Sequence, residues 1–247
     1  MIMNKTAIII PSRLKAQRLP DKPLKLINNK EMILHVYEAA KRSRVGEVYV
    51  ATPDQKIIDT VEKFGGKAIL TTGDHETGTD RVFEVFKKTL KSIPDIIVNL
   101  QGDMPNIEPS SIKDLIEYMY KGKCEIGTLA SNLSSSSELT DQNIVKVLVK
   151  EKMKPGVFLN ALDFLRVNYE KEDNIYHHVG IYAFTKKAIL RYVSLKRSKL
   201  EIERKLEQLR AMENNMSIHV GYINSSPLSV DTEEDLIKIK RLMKKNE

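Results

Sequence analysis

The sequence predicts an α/β protein built on a mostly parallel sheet flanked by helices. Three observations carry that expectation. Short β-branched runs without alternation recur, the first at Ala7-Ile8-Ile9-Ile10, and strands buried on both faces of a parallel sheet read this way. Helical apolar stripes alternate with those runs through the first half of the chain. The residues with chemical character fall just after the runs, at the edge where open parallel sheets hold ligands.

The elements follow in order. Strand one, Ala7 to Ile10, ends at Pro11. From Met32 to Ser43 the apolar residues Ile33, Val36, Tyr37 and Ala40 share one helical face, and Val48-Tyr49-Val50-Ala51 reads as the next strand. Ile57, Ile58, Val61 and Phe64 mark a second helix, Ala68-Ile69-Leu70 a strand, and Val82, Val85, Phe86 and Leu90 a third helix. Ile96 to Leu100 is a strand, followed by a helix from Pro109 to Tyr120 whose first turn tolerates its proline.

After Ile126 the character changes. Extended segments are expected around Thr128 to Leu133 and Ile144 to Val149, enclosing a loop at Ser134 to Ser137, while Lys150 to Asn174 is polar and weakly periodic and carries no assignment. A strand at Val179 to Phe184, a helix at Leu200 to Asn214, a strand at Ile218 to Ile223 and a last helix from Glu233 complete the series. Thr232 followed by Asp235 has the form of a capping box. The chain is expected to be a single domain: a nucleotide-binding part over about 1–125, an elaboration over about 126–223 and a C-terminal helix over 232–245.

Bulk properties narrow the function. With 247 residues, 41% apolar and 30% charged, the chain can bury a full core. A net charge of +7 suits a polyanionic partner. The lysines, Lys238, Lys240, Lys244 and Lys245 among them, are interleaved with acids, and no basic stretch alternates with stacking aromatics, which argues against nucleic acid. The one cysteine, Cys124, can make neither an intramolecular disulfide nor a Cys-based zinc site and reads as a structural thiol. Met1 to Thr6 lacks a signal-peptide pattern and no run approaches a membrane span, so the expected compartment is the cytosol, without membrane insertion.

Three loops at the ligand edge stand out. Pro11 to Leu24 sets Arg13, Lys15, Arg18 and Lys22 between prolines, where cations can hold a triphosphate; a solvated basic loop is the alternative. Asp103, after Val98-Asn99-Leu100-Gln101-Gly102, stands where a magnesium ligand belongs, though an Asp in a tight turn before Pro105 is the commoner occurrence. Asp231, just before Thr232, is either a second metal carboxylate or an acid favoured by the helix dipole.

In order and spacing these loops resemble the 3-deoxy-D-manno-octulosonate (Kdo) cytidylyltransferases, nearly end to end. Arg18 to Leu24 is similar to that family's "RLPxKPL", Asp74 to Arg81 to its second motif, Val98 to Asp103 to "VNxQGD", and Val230 to Leu236 to "VDTxEDL"; His178 to Tyr182 and Leu206 to Arg210 resemble its two sugar-pocket elements. The resemblance implies a nucleotide-diphospho-sugar transferase fold, Rossmann-like, with a smaller dimerisation and sugar-binding elaboration. It implies transfer of CMP from CTP to Kdo, an acidic sugar, with release of diphosphate for lipopolysaccharide biosynthesis, by a homodimer using Mg2+. Arg13 and Lys22 would grip the phosphates, with Pro11, Ser12, Thr77, Gly78, Arg81 and Gln101 completing the nucleotide site. Asp103 and Asp231 would hold magnesium, and His178, Tyr182, Glu207 and Gln208 would face the sugar.

The chain departs from the family pattern at two places. Met104 stands where the family has Glu after Gln-Gly-Asp, and no arginine occurs at Phe158-Leu159-Asn160-Ala161, where the family's "FSR" element should meet the sugar carboxylate. Either another cation such as Arg166 substitutes, or the acceptor is a variant such as 8-amino-Kdo. The rivals are a sialic-acid-type synthetase and a noncatalytic nucleotide-binding protein. His35, His75 and His219 have no partners at metal-ligand spacing, and adjacent His177 and His178 point to opposite faces of a strand, so none is read as a metal ligand.

Overall fold

The structure is a computed structural model and describes residues 5–15, 18–72, 75–89, 94–168 and 173–244. Met1, Asp74, Leu90 and Lys245, cited above, lie outside them. The chain divides into two compact units, one formed by 1–113 with 227–247 and the other by 114–226.

The first unit carries strands β1 (Thr6–Pro11), β4 (Glu47–Thr52), β5 (Ala68–Leu70) and β6 (Ile96–Leu100) in the order β5-β4-β1-β6, every adjacent pair parallel. Helices α1 (Met32–Arg42), α2 (Gln55–Lys63) and α3 (Gly78–Thr89) alternate with these strands. This is the expected α/β pattern. β1 and β6 are buried along almost their whole length because both faces of a parallel sheet are covered, which is why their residues are Ile and Val without alternation. A two-stranded hairpin, β2 (Leu26–Ile27) and β3 (Lys30–Glu31), precedes α1; its strands are too short to leave a periodic signal.

The C-terminal segment returns to this unit. Val230 N–H donates to the Asp103 carbonyl at 2.9 Å, and Leu228 N–H to Asn106 Oδ1 at 2.9 Å. Val230, Leu236 and Ile239, the last two on helix α8 (Glu233–Lys244), join Leu19, Ile27 and Met32 in one buried apolar cluster. The loop after β1 and the C-terminal helix are thereby fixed to each other.

In the second unit the strands β7 (Ile126–Ser131), β8 (Lys146–Val149), β9 (Phe158–Leu165), β10 (Ile175–Thr185) and β11 (Ile218–Tyr222) run in the order β10-β7-β11-β9-β8, and β10 pairs with β8 as well, so the pairings form a ring. Of these strand pairs, β11 and β7 are parallel and the others antiparallel. β9 lies in the segment without an assignment. It is paired on both sides, and that pairing rather than any apolar periodicity makes it a strand. Lys146 on β8 is fully buried, its ammonium held by the carbonyls of Asp141, Ile144 and Arg166, and burial lowers its pKa from the usual lysine value.

The single helix expected over 200–214 is two, α6 (Lys199–Arg204) and α7 (Gln208–Glu213), broken where Lys205 adopts a left-handed conformation at φ 55°. A buried ion pair ties the two pieces: Arg210 Nε and Nη2 donate to the carboxylate oxygens of Glu201 at 2.8 and 2.7 Å. Helix α5 (Lys186–Ser194), capped by Thr185, precedes them. Among the described residues no helix is long and apolar enough to cross a membrane.

Candidate active site

All ten nucleotide, phosphate and metal candidates lie in the first unit, and all ten line one cavity of about 700 Å³. Pro11, Ser12, Arg13 and Lys22 come from the loop after β1, Thr77, Gly78 and Arg81 from the start of α3, Gln101 and Asp103 from the end of β6, and Asp231 from the turn before α8. Lys15, Arg18, His75 and Glu76 also border it.

Local folding explains the placement. Leu14 N–H donates to Asp54 Oδ2 at 2.8 Å, anchoring the start of the first loop to the turn after β4. Leu19 is buried in the cluster under α8, Asp21 takes a left-handed conformation, and a short 3-10 turn, Lys22–Leu24, follows with Pro23 buried. This aims Lys22 inward. Its Nζ donates to Asp103 Oδ2 and to Asp231 Oδ1, each at 3.0 Å, while Arg18 Nη2 lies 3.1 Å from the other oxygen of Asp231. Burial works to depress the Lys22 ammonium, but the attraction and hydrogen bonds of both carboxylates outweigh it and raise its pKa above the ordinary lysine value.

Both helices that border the cavity begin with the same device. Thr77 Oγ1 donates to Asp80 Oδ2 at 2.7 Å and accepts from Asp80 N–H at 3.2 Å; Thr232 Oγ1 donates to Asp235 Oδ2 at 2.8 Å and accepts from Asp235 N–H at 3.2 Å. The expected capping box at Thr232 is present, and Asp231 N–H also donates to the Asp235 carboxylate, at 3.1 Å. Thr77 therefore stands at the cavity with its hydroxyl engaged in a cap. Arg81 is buried one turn into α3 and donates to Thr71 Oγ1. His75 bonds Glu84, which also accepts from Thr72 N–H at 2.9 Å and so secures this side of the wall.

The four sugar candidates lie in the second unit. His178 and Tyr182 flank the register shift in β10, their rings 5.4 Å apart. Thr128 Oγ1 donates to the Ile181 carbonyl at 2.7 Å and lies 2.9 Å from His178 Nε2. With that hydroxyl proton used, His178 donates from Nε2 and its Nδ1 is an acceptor. Burial, with a smaller push from His177, holds the His178 imidazole down at about 3. Burial and then the Glu207 charge push the Tyr182 hydroxyl well above the usual tyrosine range, so Glu207 lies within its electrostatic reach. Gln208 Nε2 is buried with no hydrogen-bond partner among the described residues.

At the position expected to hold an arginine, Phe158 instead stacks on Tyr118 with centroids 3.8 Å apart. Arg166, the substitute considered above, donates to the carbonyls of Arg204, Lys205 and Gln142 at 3.0, 3.1 and 2.9 Å. Its guanidinium thus seals the break between α6 and α7. Met104 is buried at 3% exposure, a core side chain where the family has a carboxylate. His75, not read from the sequence as a metal ligand, is part of the cavity wall. Thr79, on α3, and Asn99, on β6, lie within the motifs at Asp74 to Arg81 and Val98 to Asp103, but neither was read from the sequence as a site residue.

The family model described as Cytidylyltransferase matches residues 7–218, which places the chain in the nucleotidyltransferase class. A 3-deoxy-manno-octulosonate cytidylyltransferase from Bartonella tribocorum is 39% identical over 238 residues, 96% of this chain and 97% of that protein. One from Rhodopseudomonas palustris is 40% identical over 245 residues, 98% of this chain and 99% of that protein. A solved CMP:2-keto-3-deoxy-manno-octonic acid synthetase complexed with CTP matches at a TM-score of 0.89 and 37% identity, over 99% of this chain and 100% of that one. The chain belongs to the 3-deoxy-manno-octulosonate cytidylyltransferase family.

Proposed function

We propose that this chain transfers CMP from CTP to the anomeric hydroxyl of 3-deoxy-manno-octulosonate. The hydroxyl oxygen bonds to the α-phosphorus as the α–β bridging bond breaks, the electron pair leaves with diphosphate, and the hydroxyl proton is released to solvent. The observation that carries this reading is Lys22 held between Asp103 and Asp231 inside a cavity rimmed by Arg13, Lys15 and Arg18. Phosphoryl transfer asks chiefly for positioning and charge neutralisation, and this arrangement offers both. Arg13 and Lys22 bind the phosphates, and Pro11, Ser12, Thr77, Gly78, Arg81 and Gln101 surround the nucleoside.

Among the described residues no group of three or more His, Cys, Asp or Glu is arranged to hold a metal. The site offers two carboxylates already gathered around one positive charge, which suits Mg2+, since that ion takes one or two carboxylates with phosphate oxygens and water. Asp103 and Asp231 would hold it, and its role would be to neutralise charge between the acidic acceptor and the triphosphate. Lys22 meanwhile keeps the two carboxylates from repelling each other in the free protein. His178, Tyr182, Glu207 and Gln208 serve the sugar, with His178 Nδ1 accepting from a sugar hydroxyl. A homodimer in the cytoplasm, supplying lipopolysaccharide assembly, completes the proposal and rests on the family resemblance.

One observation favours a second acceptor. With no arginine over 158–161 and Arg166 bound to backbone carbonyls, an acid sugar differing from Kdo, such as its 8-amino form, is the second acceptor to be tested. Diphosphate release from CTP is the test, with each sugar in turn and with and without Mg2+. Release is expected with CTP and an acid sugar, dependent on Mg2+, and lowered at least about 100-fold in Asp103→Ala, by analogy with other lost charge-stabilising groups. Mg2+-independent release, or an Asp103→Ala variant as active as the parent, would refute the reading.

A further inference from the structure

β6 is apolar at every position but one. Asn99 stands in it fully buried, between Val98 and Leu100 and across from Ile9 of β1. A buried carboxamide is costly unless it is hydrogen-bonded, and an aliphatic residue would serve the sheet at least as well. Both ends of the amide are in use. Nδ2 donates to Thr79 Oγ1 at 3.1 Å, and Oδ1 accepts from Gln101 Nε2 at 3.3 Å. Thr79 is 2% exposed, and neither it nor Asn99 lines the cavity, whereas Gln101 does.

Gln101 is confined on its other side as well. A Cβ added at Gly78 would stand 3.4 Å from Gln101 Nε2 and 3.5 Å from Pro11 Cγ, so the amide nitrogen is held between Asn99 and the start of α3. One N–H of Nε2 goes to Asn99, which sets the sense of the carboxamide and leaves Oε1 as its one acceptor.

We propose that Asn99 and Thr79 are positioning residues that hold the Gln101 carboxamide in one sense, and that Gln101 Oε1 thereby reads the exocyclic amine of cytosine. Uracil carries a carbonyl where cytosine carries that amine, and would set two lone pairs against each other. A site built around a hydrogen bond rejects the analogue that cannot make it. The inference rests on the proposal that this cavity takes CTP.

The test compares CTP with UTP, by direct calorimetric binding and by kcat/KM for diphosphate release, in the parent and three variants. Asn99→Leu removes the anchor. Asn99→Asp can only accept, so it keeps Gln101 Nε2 as the donor. Thr79→Val withdraws the partner of Asn99 and serves should Asn99→Leu fail to fold. The parent is expected to prefer CTP, and Asn99→Leu and Thr79→Val to reduce the CTP-to-UTP ratio about tenfold, which is one hydrogen bond's worth or ~1.4 kcal/mol, through KM with kcat kept. Asn99→Asp is expected to hold the ratio within about twofold, whatever its charge does to both affinities together. Equal binding of CTP and UTP by the parent, or an unchanged ratio in a folded Asn99→Leu, would overturn the inference. So would an Asn99→Asp that loses discrimination as fully as Asn99→Leu. Parent protein that binds CTP but releases no diphosphate would refute the proposed activity alone, leaving the ratio to be read from binding.

Discussion

At Lys22 burial and charge pull in opposite directions, and two carboxylates at 3.0 Å decide the contest in favour of the ammonium. At His178 nothing opposes burial, and the imidazole stays neutral down to about pH 3. The sign of the consequence follows from linkage. An unfolded chain binds a proton at His178 near the ordinary histidine value of about 6.5, whereas the native state does not, so stability is complete above that pH and falls on acidification toward 3. The urea midpoint, followed by tyrosine fluorescence in this tryptophan-free chain, is therefore expected to drop between pH 7 and 4. His178→Asn is expected to flatten part of that drop; an identical slope in the variant would remove His178 from the account. Asp103 and the cations of the first loop were legible in the sequence because they follow strands, and Asp231 because it stands just before a helix. Asn99 and Thr79 were not, since their significance lies in a hydrogen-bonded chain that only the register of β6 against α3 creates.

At the level of elements, the buried strands and the amphipathic helices of the first unit were legible because covered parallel strands and one-sided helices write simple periods into sequence. The second unit was less so. β9 alternates weakly because it is paired on both sides within a ring of strands, and no period announces that. The break between α6 and α7 has no glycine or proline to mark it. It is imposed by Lys205 turning left-handed and by the Glu201–Arg210 pair, whose members are 1% and 3% exposed. Removing one partner of such a pair takes the opposite charge away from a buried ion, at a cost of about 3–5 kcal/mol. Glu201→Ala is expected to lower unfolding free energy by that much in urea titrations, whereas a loss under about 1 kcal/mol would mean that solvent reaches Arg210 and the clamp is dispensable.

At the scale of the whole molecule, the chain leaves the first unit, builds the second, and returns to bury Val230, Leu236 and Ile239 against Leu19, Ile27 and Met32. The same return brings Asp231 to Lys22. Stability and chemistry are thus linked at the C-terminal segment, a relation that neither motif discloses by itself. A chain ended at Ser226 is expected to lose more than about 3 kcal/mol from the first unit, the burial of three aliphatic side chains; a truncated chain with an unchanged urea midpoint would contradict this packing. The central claim is that the cavity carrying Asp103, Lys22 and Asp231 makes a CMP–sugar bond. The most direct measurement is mass-spectrometric identification of the product formed from CTP, 3-deoxy-manno-octulosonate and Mg2+ by the parent protein and by Asp231→Ala. The account expects a CMP-linked sugar acid in step with diphosphate from the parent and at least about 100-fold less from the variant; diphosphate with free CMP and no sugar adduct from any acid sugar, or equal product from Asp231→Ala, would contradict it.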